Sequence, residues 1–388
     1  MPVTAPALQY ITKRLESAPD PEKATLTEIK DLYDNKLWHQ LTEKVKDVVD
    51  NAPIPNMRDL YLHFLKTLEK NLNPVTLVQI VTRIVQTELD ASAKDGLAFL
   101  TPLLGAENQP TVFTKNPEAH VLLLSHVASL QMKDSDNPAS KRTFEKASEI
   151  VTSNDMTAQV YSVYYRAAAE YHKVVGTAAD FFQNALQFLA YTPAHSISID
   201  SQQQWAFDIG MAALVGNGIY NFGEVLSHAI VHSLRGTEQE WLLLLLEAFS
   251  TGNLDQFDAV CSASSDKMVE QPVLVANEEF LKQKITILAL LELAFSRSLE
   301  HSISFEDVKK ACRLPPREVE YLLMRAMSLG LISGVIDNVD ERFTVTRVRP
   351  RVLGREPIGQ MAQRLSKWCG KVDNTINFVD GSSIGIAE

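Results

Sequence analysis

Apolar positions along most of this chain recur at intervals of three and four, the period of an amphipathic helix, and the period changes only near residue 302. Between residues 25 and 297 helix-like runs alternate with glycine and asparagine punctuation. One run closes at Gly176 and resumes with Phe181, Phe182, Ala185, Phe188 and Leu189. A second, 205–215, leads through Gly216-Asn217-Gly218 to Phe222, Val225, Leu226 and Ile230. A third, 240–250, passes Gly252-Asn253 and continues with Leu254, Phe257 and Val260. An earlier pair turns at Asp34-Asn35 before Leu37, Trp38, Leu41 and Val45. Gly176 and Gly218 are 42 residues apart and Gly218 and Gly252 are 34, which predicts helix–turn–helix repeats with insertions. A single hairpin cannot bury its apolar face, so neighbours must stack into a curved solenoid of the tetratricopeptide kind over 25–265. Ala167, Ala168 and Ala169 allow close helix approach, while Tyr165 and Phe181 fill gaps. Loops are expected near 52–56, 102–116, 133–138, 192–200 and 262–277.

The segment 278–297 is apolar almost all round, with Ile285, Ile287, Leu288, Leu290, Leu291, Leu293 and Phe295, and is predicted to be a buried helix. The pattern beyond it is different. Residues 306–312 form a short helix with Phe305 and Val308 inward, and Pro315-Pro316 restart the chain in a first helical turn. Val319, Leu322, Leu323, Ala326 and Met327 then share one helical face, and Gly330 stops that helix in a left-handed position. Two short runs follow, 331–336 and 342–346, separated by the turn-rich 337–341. In Arg342-Phe343-Thr344-Val345-Thr346 apolar and polar residues alternate, as in a half-buried strand. Helix, helix and hairpin make a winged helix, so 278–352 is assigned as a winged-helix module with its leading helix.

After a break at 354–357, Ile358, Met361, Leu365 and Trp368 fall at i, i+3, i+7 and i+10 in a final helix within 355–388. Its apolar stripe either folds back on the wing or pairs with helices of partner chains; the second reading is preferred. Residues 1–24 are set apart as an N-terminal extension.

The formal charge of -11 and pI near 5.4 argue against a dedicated nucleic-acid binder, which carries a basic field. Ten Lys/Arg against seven Asp/Glu make 301–355 locally basic, so the helical region carries nearly all the acidity. Within that basic module Arg342, Arg347, Arg349, Arg351 and Arg355 cluster. They could neutralise phosphates on DNA, remain solvated, or meet an acidic neighbouring subunit, the reading preferred here. In the helix that would enter a groove, Arg317 and Arg325 are offset by Glu318 and Glu320, which opposes nucleic-acid readout.

Cys261, Cys312 and Cys369 are far apart and form no CxxC, indicating neither a disulfide framework nor a cysteine zinc site. His228 and His232 stand at i, i+4 without an intervening glutamate, and read as ordinary helix residues. Gly216-Asn217-Gly218 lacks the third glycine and preceding strand of a phosphate loop and reads as a turn. No constellation supports a catalytic residue, a metal, a cofactor or a small-molecule substrate. The start lacks the apolar core of a signal peptide and no run reaches the length of a membrane span, so a cytoplasmic and nuclear location is expected.

The run VEYLLMRAMSLGLISGVID at 319–337, placed after a helical array, resembles the C-terminal signature of the PCI family, found in subunits of the proteasome lid, the COP9 signalosome and translation initiation factor 3. KLWHQLT (36–42), GIYNFGEVL (218–226), VRPRVL (348–353) and RLSKWC (364–369) are similar, in order, to non-ATPase lid subunits of the 26S proteasome regulatory particle. The resemblance implies a noncatalytic scaffold supporting ubiquitin-dependent degradation, with other PCI-type lid subunits and the rest of the regulatory particle as partners. It places subunit contacts on the wing and the C-terminal helix: Arg342, Phe343, Val345, Arg347, Arg349 and Arg351, then Ile358, Met361, Leu365 and Trp368. The alternatives are a signalosome or initiation-factor subunit, or a winged-helix nucleic-acid binder.

Overall fold

A computed structural model describes residues 6–17, 20–51, 57–88, 92–105, 111–297, 302–349 and 355–384. The chain divides into two units, 1–193 and 194–388. The second unit holds the later helices together with the winged helix. The loop expected at 52–56 lies outside the described residues.

In the first unit the longer helices are α1 (Pro6–Ser17), α2 (Asp20–Asp34), α3 (Trp38–Asn51), α4 (Pro74–Glu88), α5 (Ala93–Leu104), α6 (Pro117–Lys133), α7 (Asn137–Ser153), α8 (Ala158–Val174) and α9 (Ala178–Tyr191). Helical structure thus begins ahead of residue 25. Ile11 of α1 is fully buried, and α1 packs on the π-helical turn Tyr61–Leu65, so this part of the expected extension joins the core. The helices α6 with α7, and α8 with α9, pair as hairpins, and α8 also packs on α6. Local chemistry sets their starts. Asn116 Oδ1 accepts from the amides of Glu118 (3.0 Å) and Ala119 (3.4 Å), with Pro117 opening α6. Thr177 Oγ1 caps α9 by accepting from Asp180 N at 3.2 Å. The loop expected over 102–116 is shorter than that: α5 carries Pro102 in its last turn, and Val112–Lys115 is helical, capped by Thr111.

The second unit contains α10 (Ile199–Val215), α11 (Phe222–Ser227), α12 (Glu240–Thr251), α13 (Leu254–Ala263) and α14 (Glu278–Ser296). Gly252 ends α12 at φ 65°. A β-carbon there would stand 2.8 Å from the Leu288 carbonyl oxygen of α14, so glycine serves both the turn and the helix contact. Helix α14 buries Leu281, Ile285, Ile287, Leu288, Leu290 and Leu291. It packs on α10, α12 and α13, and also on the winged helix, as its all-round apolar character requires.

Two local expectations are corrected. The helix from Phe222 stops at Ser227, because His228 turns extended and its Nδ1 accepts from Ile230 N at 3.3 Å; a 3-10 turn, Ala229–Leu234, follows. His228 and His232 therefore do not share an α-helical face. The segment 262–277 is not a plain loop but holds the helical turns Ser265–Val269 and Pro272–Ala276, the second opened by its proline.

The winged helix comprises β1 (Ser302–Ser304), α15 (Phe305–Cys312), α16 (Pro316–Ser328), β2 (Ile332–Asp337) and β3 (Arg342–Val348). The strands form an antiparallel sheet in the order β1-β3-β2, with Ile303 and Ile336 both opposite Phe343. The strand β1 is an addition to the predicted hairpin. Gly330 adopts φ 66°, as expected. Asp337 Oδ1 holds the turn by accepting from Val339 N (3.0 Å) and Asp340 N (3.1 Å). Helix α17 (Arg355–Ile384) follows residues 350–354, which lie outside the described set.

Candidate subunit interface

The winged helix has one apolar core face, and strand alternation decides which β3 residues reach it. Phe343 is 0% exposed and Val345 is also buried, whereas Arg342, Thr344, Thr346, Arg347 and Arg349 are exposed. The expectation that Phe343 and Val345 offer apolar surface to a neighbour is thereby corrected. They are inward members of the central strand, and that strand packs on α14. Arg342, Arg347 and Arg349 remain as surface cations, while Arg351 lies outside the described residues. Arg342 stands opposite Asp337 of β2, a cross-strand pair of opposite charge. Among the described residues the outer side of β2 is a sheet edge, with exposed Val335.

Helix α16 turns Val319, Leu322, Leu323 and Ala326 into the core and exposes Tyr321 and Met324. In a DNA-reading winged helix that outward face carries hydrogen-bond donors for base edges. Here the exposed Arg317 is offset by the exposed Glu318, and beside them stand an aromatic and a thioether side chain, types enriched in protein–protein contacts.

The turn between α15 and α16 is held to the helices before it. Arg313 adopts a left-handed conformation (φ 52°), bonds Asp258 at 2.8 Å and pairs with Asp255, both on α13. Arg297, beyond the end of α14, pairs with Asp307 of α15. Ser304 Oγ donates to that carboxylate at 2.7 Å and, with Arg297, holds the Asp307 pKa below its usual value. The wing is thus tied to α13 and α14 by side-chain pairs as well as by packing.

Helix α17 is thirty residues long, and its large apolar side chains from Ile358 to Val379 are exposed. Ile358, Met361, Leu365 (60%) and Trp368 (63%) lie on the predicted stripe. The stripe runs further than predicted, through Val372, Ile376 and Val379, all exposed, with Phe378 beside it. Spacings of three and four repeated from 358 to 372 are those of a coiled-coil seam. The same spacing rule, continued past Trp368, identifies Val372 in the sequence. Large apolar side chains in a row on a helix surface mark an interaction site.

Among the described residues no group of three or more His, Cys, Asp and Glu is arranged to hold a metal ion. No helix among them is long and apolar enough to cross a membrane.

Comparison with known proteins matches the chain to two family patterns: PSD13 N-terminal repeats over residues 25–246 and a PCI domain over residues 254–347. The chain is 33% identical to 26S proteasome non-ATPase regulatory subunit 13 of Dictyostelium discoideum over 388 residues, 98% of each chain. It is 31% identical to 26S proteasome regulatory subunit RPN9 of Saccharomyces cerevisiae over 93% of each. Eukaryotic translation initiation factor 3 subunit M of Coccidioides immitis is more distant, at 20% identity over 97% of this chain and 80% of its own.

Proposed function

The chain belongs to the family of 26S proteasome non-ATPase regulatory subunit 13, with a PCI domain, and on that premise we propose that it is a noncatalytic structural subunit of the proteasome lid. It joins the regulatory particle in support of ubiquitin-dependent degradation, in cytoplasm and nucleus, and its partners are other PCI-type lid subunits. The observation that carries this reading is the uncovered apolar seam of α17, Ile358, Met361, Leu365, Trp368 and Val372, which a free chain leaves in water. A helix of that pattern is stabilised by partner helices that bury it, at roughly 1.5–3 kcal/mol for each large side chain fully covered.

The wing supplies a second contact. The edge of β2 suits strand addition, and Arg342, Arg347 and Arg349 suit an acidic neighbour, steering encounter more than adding affinity. The Tyr321–Met324 face of α16 favours protein over nucleic acid as the partner. Chemistry on the substrate falls to other subunits in this reading.

Depleting the chain from cells tests the proposal. Regulatory particles lacking an intact lid should accumulate and ubiquitin conjugates should rise, with restoration by the wild-type chain. Normal particles and normal conjugate turnover after full depletion would overturn it.

A further inference from the structure

Lys284 lies in α14 and is 1% exposed, among side chains that are otherwise apolar. A buried ammonium is strongly unfavourable unless its N–H bonds are all met. Its Nζ donates to the carbonyl oxygens of Ala213 (2.8 Å), Leu214 (3.0 Å) and Gly216 (2.9 Å). Those carbonyls belong to the last turn and C-cap of α10, where a helix leaves acceptors without internal partners and carries partial negative charge. Phe222, Phe280 and Tyr220 place ring centroids 5.2, 5.4 and 5.7 Å from the same nitrogen, within cation–π range. Among the described residues the charge is thus met by backbone dipoles and ring faces rather than by a carboxylate.

We propose that Lys284 is a buried cationic clasp: its ammonium caps the C-terminal end of α10 and fixes the register of α14, and of the winged helix packed on it, against that helix. The match is one of number as well as place, since an ammonium has three N–H bonds and three carbonyls receive them. An amine would leave one oxygen without a donor. A methionine would fit the same space and pack well, but it would accept α14 at several displacements along α10. Burying an ion gains little stability over an apolar residue; what it supplies is discrimination between registers. The Gly216-Asn217-Gly218 turn has its place here, because it ends α10 and presents the Gly216 carbonyl to Nζ.

Burial pushes the Lys284 pKa down to about 7, in keeping with its apolar setting. Tyr220, the titratable ring against it, is itself pushed upward by burial, an effect that Arg325 opposes, so it adds no negative charge near neutrality.

The test is amide hydrogen exchange on the full chain, comparing wild type with Lys284→Met. Protection over residues 216–222 and along α14 should fall about tenfold or more, as loss of hydrogen bonds to a charged donor implies, with α3 to α6 unchanged. Protection within about twofold of wild type throughout would overturn the clasp. Should the variant fail to fold, wild-type chain carrying carbon-13 at the lysine ε-carbons decides. One lysine resonance should be shifted upfield by the three rings and titrate well below the others. A spectrum in which every lysine titrates together without such a shift would equally overturn it.

Discussion

The ring of Phe343 lies against the backbone of Gly334 on the neighbouring strand, so closely that a β-carbon on Gly334 would stand 2.7 Å from the ring Cζ. The missing side chain on β2 is what lets β3 carry a large aromatic residue into the core. A bulge at Ser333/Gly334 adjusts the register at the same point.

Phe343 is therefore a folding residue. Phe343→Ala should destabilise the winged helix by about 3–5 kcal/mol, the cost of emptying a buried aromatic site. Gly334→Val should act in the same direction, since its β-carbon would collide with the Thr344 carbonyl oxygen on β3 as well as with the ring. Calorimetry or circular dichroism of the free chain checks both, and an unchanged melting profile for Phe343→Ala would show that the ring is not core.

The α17 seam should behave in the opposite way. Leu365→Ala with Trp368→Ala leaves the free chain melting within a degree or two of wild type, since exposed substitutions typically change stability by under about 0.5 kcal/mol. Incorporation into the regulatory particle should fall sharply, because large apolar anchors dominate such contacts. An early-melting free chain would instead make α17 part of the chain's own core.

Reversing Arg342, Arg347 and Arg349 to glutamate should slow association with lid partners by about tenfold at low salt, with the difference shrinking as salt rises. Association rates measured across ionic strength would show it. A salt-independent defect would point to misfolding and not to lost steering.

His126 of α6 gives the first unit a defined acid sensitivity. Burial, with Arg166 adding repulsion, lowers its pKa to about 4. Between about 4 and the usual 6.5 the unfolded chain holds a proton that the folded chain does not. This group's contribution is thus whole above 6.5 and is lost as pH falls through that window, by up to about 1.4 kcal/mol per pH unit. Chemical denaturation from pH 7 to 4 should show a shallower decline in His126→Gln than in wild type.

The sequence was most readable where one period ruled a long segment. The helices α8, α9, α10, α12 and α14, the left-handed stop at Gly330 and the two wing strands all follow from spacing and punctuation. It was less readable where a tertiary contact decides. A three-residue strand such as β1 has too few positions to display a period, and it exists because β3 offers it an edge. Alternation marks β3 as a half-buried strand, yet the resemblance places Phe343 and Val345 among the subunit contacts, and it is their burial that shows them facing the core. Lys284 follows Lys282 and Gln283 and reads as one more polar residue ahead of an apolar run, so nothing local tells that three carbonyls 68–71 residues earlier receive it. The α17 stripe was legible through Trp368, and carrying the same count on reaches Val372, after which it lands on the polar Thr375 and does not mark Ile376.

The central claim is that this chain is a lid subunit held by its exposed helix and wing, and purification from cells through an affinity tag at moderate salt tests it most directly. Quantitative mass spectrometry of the eluate should find lid and base subunits of the 26S proteasome in stoichiometric amounts. Recovery with signalosome or initiation-factor subunits, or with nuclease-sensitive chromatin in place of proteasome subunits, would contradict it.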